Sequence, residues 1–104
     1  MALKFSGFDW DDGNRAKCQR HGLTLSEIED VFSRPITVLP DPEHSGAEER
    51  FKAIGTTTAG RAVFLTFTLR QRRNAALIRP ISARYMHRKE IAHYEKEAAK
   101  AQNR

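Results

Sequence analysis

The chain has 104 residues, 39% hydrophobic and 30% charged, with a formal charge of +5. That length fits one domain over residues 1–104 and leaves no room for a separate cofactor fold. One cysteine excludes an internal disulfide, no apolar run reaches the roughly 18 residues of a membrane span, and the first ten residues lack a signal-peptide core, so a cytoplasmic domain is expected. Residues 5–10 (FSGFDW) read as a short first strand. Residues 12–21 predict a helix capped by Asp11 or Asp12 and closed by Gly22. Ser26 and Glu29 have capping-box spacing, and Ile28, Val31 and Phe32 give the apolar stripe of a second helix that must end before Pro35. A strand at 36–39 is stopped by Pro40 and Pro42, and a polar loop follows over 40–49. Strands are predicted at 50–57, 62–69 and 76–83, separated by Gly60 and by a loop Arg70–Asn74. Residues 84–100 lack Gly and Pro, and Ile91, Tyr94 and Ala98 recur at helical spacing, which predicts a C-terminal helix. The order β-α-α-β-β-β-β-α favours an α+β domain, an antiparallel sheet packed by helices.

Charge is divided unevenly. Residues 1–60 carry 7 basic and 10 acidic side chains, whereas residues 61–104 carry 11 and 3. A basic half points to a polyanion or an acidic partner protein. Arginine dominates there over lysine, and its planar fork matches phosphate oxygens two at a time. Arg61, Arg70, Arg79 and Arg84 fall at or beside strand ends, Arg72 and Arg73 at a loop tip, and Arg88 on the last helix. Arg79 alternates with Leu77 and Ile81 and opposes Ile78, so it needs a partner such as Glu48, Glu49 or a helix carboxylate, or an opening to solvent. Four histidines, His21, His44, His87 and His93, can exchange protons near neutral pH. His87 follows Arg84 where the last strand passes into the last helix, and Tyr94 lies on the same helix. These three are expected to line one rim where sheet meets helix. Cys18 has Lys17 and Arg20 beside it, which favour a thiolate, but no nucleophile motif surrounds it, and it reads as a small buried hydrophobe rather than a catalytic thiol. Asp41, Glu43 and His44, or His87 and Glu90, supply too few ligands for a structural zinc site, so neither metal nor cofactor is expected.

One ordered set of residues has a wider meaning. It runs through Phe8-Asp9-Trp10-Asp11, Arg20-His21-Gly22, Val31-Phe32 and Asp41-Pro42-Glu43-His44-Ser45. It continues through Glu49-Arg50-Phe51, Ala53-Ile54-Gly55, Gly60-Arg61, Phe67-Thr68, Arg79, Ile81-Ser82-Ala83-Arg84 and Glu90 with Tyr94. In this the chain resembles the BrnT toxins of BrnT–BrnA type II toxin–antitoxin modules. The resemblance implies a RelE-like ribonuclease fold, a ribosome- or RNA-directed toxic activity, and neutralisation by a small DNA-binding antitoxin of ribbon-helix-helix type, with DNA reached only through that complex. Two departures stand out. Leu69 replaces the acidic residue usual after Phe-Thr, and Pro80 interrupts the strand before Ile81-Ser82, which predicts an edge or a bulge there.

The expected activity is that of a metal-independent endoribonuclease that inhibits translation. RNA can be cut by its own 2′-hydroxyl, given a base, an acid and cations around the phosphate. Arg79 and Arg84 suit the phosphate charge, His87 leads as acid or base with Tyr94 and His44 behind it, and Arg61, Arg70 and Arg88 suit the RNA backbone. Two other readings of the basic half stand beside this one: a nucleic-acid-binding module without catalysis, and a structural subunit that binds an acidic antitoxin.

Overall fold

Side chains that satisfy the first free backbone N–H groups set the helix starts. In the computed structural model, which describes residues 4–102, helix α1 spans Asp12–Cys18. Asp11 caps it in a reciprocal box. Its carboxylate accepts from the Asn14 N–H at 2.9 Å, and the Asn14 side chain accepts from the Asp11 N–H at 2.7 Å. The helix ends short of residue 21, and Gly22 takes φ +96°, a left-handed turn. Helix α2 spans Leu25–Ser33 and is capped by Thr24 with Glu27, not by Ser26 with Glu29. Thr24 is the last extended residue, so Ser26 already lies inside the helix. Glu29 instead accepts from the Trp10 indole N–H at 2.9 Å and ties α2 to the N-terminal segment.

Five strands form one sheet: β1 (Gly7–Phe8), β2 (Thr37–Pro40), β3 (Arg50–Thr56), β4 (Ala62–Arg72) and β5 (Ala75–Tyr85), in the order β1-β5-β4-β3-β2. Strands β2 to β5 are an antiparallel meander, but β1 pairs parallel to β5, so the sheet is mixed rather than purely antiparallel. No hairpin joins β1 to its neighbour, which leaves its direction free. The strand pairs over only two residues because the chain turns at Asp9 into α1. The β4–β5 turn shrinks to Arg73 and Asn74, at φ 48° and 68°, a tight turn that needs two positive φ values. Arg70 and Arg72 are therefore strand residues, not loop residues. Tyr85 still pairs with Val63, and the Met86 N–H reaches the Ala62 carbonyl, so the chain stays extended past residue 84. Helix α3 accordingly starts later than expected and spans Arg88–Gln102. The side chain of Ala98 lies outside the described residues.

A bulge sits where Pro80 predicted one. Thr66 pairs with Ser82 but Phe67 pairs with Pro80, so Ile81 is an extra residue in β5. The buried Asn14 amide locks this place, donating to the carbonyls of Pro80 at 2.9 Å and Asp9 at 3.0 Å. One face of the sheet packs under α1 and α2. Ala53, Val63, Leu65, Phe67, Ile78 and Ala83 meet Leu23, Ile28, Val31 and Phe32 there. Phe8, Phe32, Phe67 and Phe51 form a chain of rings with centroids 5.2–5.8 Å apart. Leu69 packs on the same core, so its position does not face the arginines. A Cβ on Gly55 would meet Val31 and Ile36 at 2.8 and 2.9 Å; only glycine lets α2 approach β3 this closely. Cys18 is fully buried, and that burial pushes its thiol up to about 11 despite Lys17.

Helix α3 is held differently, by polar contacts at its first turn. Glu90 accepts twice from the Arg84 guanidinium, at 2.7 and 2.6 Å, and once from the His87 N–H at 3.1 Å. The Tyr94 ring then lies against Phe64, centroids 5.5 Å apart. The Arg84 hydrogen bonds, followed by the His87 N–H, hold the Glu90 carboxyl at about 2 against an ordinary 4.5.

Two outcomes follow. Asn14→Ala strands a buried carbonyl at the bulge and should cost about 2–3 kcal/mol, or roughly 10 °C or more in Tm, in thermal denaturation. For Glu90, the folded state binds its proton less readily than the unfolded state. The stabilisation is therefore complete above about 4.5 and disappears as pH falls through about 2. The stability gap between wild type and Glu90→Gln in urea titrations should be constant at neutral pH and close over that window. A gap that persists at the acid end would contradict the Arg84–Glu90 attachment of α3.

Candidate nucleic-acid interface

The sheet face away from α1 and α2 carries polar and basic rows. Across β3, β4 and β5 they read Ile54–Phe64–Arg84, Lys52–Thr66–Ser82 and Arg50–Thr68–Arg79. The Thr66 and Ser82 hydroxyls meet at 2.6 Å across the middle row. Tyr94 of α3 lies over the Phe64 end, and the polar loop 40–49 borders the Thr68 end. The two ends are roughly 14 Å apart along β4, at about 3.4 Å per residue.

At the Thr68 end a short turn builds around Asp41. A 3-10 turn spans Pro42–His44. Asp41 is only 4% exposed, and both its carboxylate oxygens lie within reach of His44 Nδ1, at 3.0 and 3.1 Å. That contact puts the hydrogen of a neutral imidazole on Nδ1 and leaves Nε2 as the free acceptor. The turn is fastened to β3. The Asp41 N–H donates to the Arg50 carbonyl, and the Ser45 hydroxyl donates to Asp41 O and accepts from the Arg50 N–H, each at 2.9 Å. His44, Glu48, Arg50, Thr68, Arg79 and Ile81 line a cleft of about 420 Å³.

Charge inside this cleft is mostly paired. Arg70 neutralises Glu48 through two contacts, at 2.7 and 3.0 Å. Arg79 reaches Asp11 at 2.6 Å and Asp9 at 3.7 Å, so its partners come from the N-terminal segment and the α1 cap, not from Glu48 or Glu49. Arg72 lies 3.6 Å from Asp9. The Asn14 N–H, then Arg79, hold the Asp11 carboxyl below its usual range. Arg50 makes no ion pair among the described residues. Thr68 is 5% exposed, and its Oγ1 has no hydrogen-bond partner among the described residues.

At the other end Arg84 lies over the Phe64 ring, 4.8 Å from its centroid, and is gripped by Glu90. Tyr94 shares the Phe64 ring, and Lys52 Nζ lies 6.0 Å from the Tyr94 centroid. His87 is exposed at the foot of α3, in contact through its backbone. Arg84, His87 and Tyr94 thus share the junction of β5 and α3, while Arg79 and His44 share the loop-side cleft. Arg61 belongs to neither; its guanidinium lies 3.6 Å over the Tyr85 ring on the α2 side. Arg88 is exposed on the first turn of α3.

Asp41, Arg50 and Thr68 do not stand out as acid–base or phosphate-binding groups in the sequence. The Asp41–His44 spacing is visible there but suggests only an incomplete metal pair. Arg50 and Thr68 gain meaning only when β3 and β4 pair. Among the described residues no three His, Cys, Asp or Glu side chains gather where they could hold a metal ion. A larger cleft of about 480 Å³ lies between α3 and the β2–β3 edge, with a mainly apolar lining that includes Ile36, Ile54, Ala62 and Ile91. Among the described residues no helix is long and apolar enough to cross a membrane.

Comparison with known proteins bears on the family of the chain. No curated protein matches the sequence. Residues 10–90 match the family model described as ribonuclease toxin, BrnT, of type II toxin-antitoxin system. That span contains His44, Arg50, Thr68, Arg79, Arg84 and His87 and covers most of the chain. On that match, the chain belongs to the BrnT family of ribonuclease toxins of type II toxin–antitoxin systems.

Proposed function

We propose that the chain is a single-domain, RelE-like, metal-independent endoribonuclease that lays RNA across the open sheet face and cuts it at the His44–Arg79 cleft. The observation that carries this reading is the buried Asp41 orienting His44 beside Arg50 and Arg79. His44 Nε2 takes the proton of an RNA 2′-hydroxyl, and the freed oxygen attacks the adjacent phosphorus. Arg79 and Arg50 stabilise the negative charge of the pentavalent state. The P–O5′ bond breaks, the leaving oxygen takes a proton from water at the open side of the cleft, and the product ends in a 2′,3′-cyclic phosphate. Arg84, His87 and Tyr94 form the flanking subsite, where a neighbouring phosphate competes with Glu90 for Arg84. Arg70 and Arg88 hold the backbone beyond the cleft, with Arg61 at the margin. A ribbon-helix-helix antitoxin covers this face in the cytoplasm, stops the loss of translation, and gives the complex its only route to DNA.

Purified protein should cut RNA in excess chelator; cleavage only after magnesium or manganese is restored would refute the metal-independent route. His44→Ala and Arg79→Ala should each slow single-turnover cleavage by ~10²-fold or more, with circular dichroism unchanged. His87→Ala, Tyr94→Phe and Arg84→Ala should act mainly on RNA affinity. The reverse pattern, with His87→Ala silent in binding but inactive and His44→Ala fully active, would move the reacting centre to the β5–α3 junction.

RNA affinity should also fall steeply with salt, because several arginines displace counterions from the phosphates. A salt slope near zero would be incompatible with a phosphate-binding face.

A further inference from the structure

Thr68 is the most unusual polar group in the sheet. It stands in the middle of β4, where a residue on the open face could be anything soluble, yet it is almost wholly buried. Its hydroxyl has no hydrogen-bond partner among the described residues, and it lines the same cleft as His44, Arg50 and Arg79. The comparable hydroxyl one row along, Thr66, is satisfied by Ser82. In the Thr68 row the flanking positions are Arg50 and Arg79, which carry donors only. They have nothing to accept the threonine hydrogen, and they repel any second cation. A buried hydroxyl without a partner is unfavourable, and valine would fill the same space without that penalty.

We propose that the Thr68 hydroxyl and the Arg50 guanidinium hold one phosphoryl group, with Thr68 Oγ1, closed off from water in this structure, donating its hydrogen to a non-bridging oxygen as the neighbouring side chains shift to admit it. The chemistry of the missing partner is set by its surroundings. It must accept a hydrogen bond, carry negative charge to suit Arg50 and Arg79, and fit the cleft beside them. A phosphodiester oxygen meets all three requirements. Glu48 on the rim does not oppose it, because Arg70 holds both its oxygens. Arg79 is already positioned by Asp11, so Arg50 supplies the charge that no carboxylate engages. This proposal rests on the cleft being the place where RNA is cut, and it adds which side chains grip the phosphate there and why threonine occupies a buried site.

The test separates a ligand group from a structural orphan. Inorganic phosphate would be titrated into the full chain and followed by backbone amide shifts, for wild type, Thr68→Val, Thr68→Ser and Arg50→Ala, with Tm measured for each. A ligand role predicts wild-type shifts centred on residues 44–50, 68 and 79. It also predicts a loss of phosphate affinity of about tenfold or more in Thr68→Val, the size expected for one hydrogen bond to a charged group. Serine restores it, Arg50→Ala weakens it similarly, and Thr68→Val keeps or raises the Tm. Unchanged affinity in Thr68→Val overturns the proposal, as does phosphate spread over surface arginines in wild type. If Thr68→Val proves unfolded, unchanged affinity in Arg50→Ala overturns it instead. The readout does not require cleavage. Phosphate bound through Thr68 by a protein that cuts no RNA would sink the ribonuclease centre and leave the pocket standing. Normal cleavage with Thr68-independent phosphate binding would do the opposite.

Discussion

The extra residue in β5 decides which arginines share the open face. Side chains alternate along a strand, so Arg79 and Arg84, five positions apart, would face opposite sides of an unbroken one. The bulge at Pro80 resets the alternation. Arg79 joins the Thr68 row and Arg84 the Phe64 row, on the same side of the sheet. Proline suits this place because it has no N–H to offer a ladder. Its carbonyl remains, and Asn14 supplies the donor. The α1 cap, the bulge and the facing of two arginines are therefore one arrangement. Asn14 closes the Asp11 box with one end of its amide and the bulge with the other, and Asp11 in turn holds Arg79.

Carboxylates on the margins of the face hold its arginines in place. Asp9 and Asp11 hold Arg79, Glu48 holds Arg70, and Glu90 holds Arg84. Free arginines would lose side-chain freedom on meeting a phosphate, whereas these have lost it already. The drawback is competition, since an incoming phosphate must share or displace a carboxylate. That competition differs between the two ends. Glu90 chelates Arg84 with two short hydrogen bonds and anchors α3 by doing so, whereas Arg79 has one short hydrogen bond, to Asp11 at 2.6 Å, with a longer contact to Asp9, and faces a cleft with an unpaired neighbour in Arg50. The difference favours the loop-side cleft for bond breaking and the β5–α3 junction for holding.

Element order is legible in the sequence because it rests on local signals: the apolar stripe of α2, the alternation in β3 and β4, and the turn residues between them. The bulge is legible too, because a proline inside a β-forming run cannot complete a regular ladder. What is not legible depends on pairing. The direction of β1 is set by contact with β5 far away in sequence, and the Thr24 box outcompetes the Ser26 pattern only once the chain before it is extended. Strand β5 overruns its predicted end because Val63 and Ala62 hold it. In the site, His44, Arg79 and Arg84 can be picked out by residue type. Asp41, Arg50 and Thr68 cannot, since an aspartate, an arginine and a threonine are ordinary until burial, an absent partner or a facing neighbour makes them otherwise.

Departures from self-consistency are informative when they gather. A strand proline, a buried aspartate under an exposed histidine, a half-buried arginine without a carboxylate and a buried hydroxyl without an acceptor are each unusual for a small domain, which has little stability to spare. Scattered over the surface, they would have no common cause. Here all four border one stretch of sheet, between the loop after β2 and the bulge in β5. The core beneath them shows no such irregularity. Its rings and aliphatic side chains close over one another, and its tightest approach, at Gly55, is met by the residue without a side chain. Close packing and unmet polar groups are thus divided between the two faces of one sheet. The helix-covered face is packed for its own sake, and the open face is left incomplete in charge and hydrogen bonding at the point where an anion would complete it.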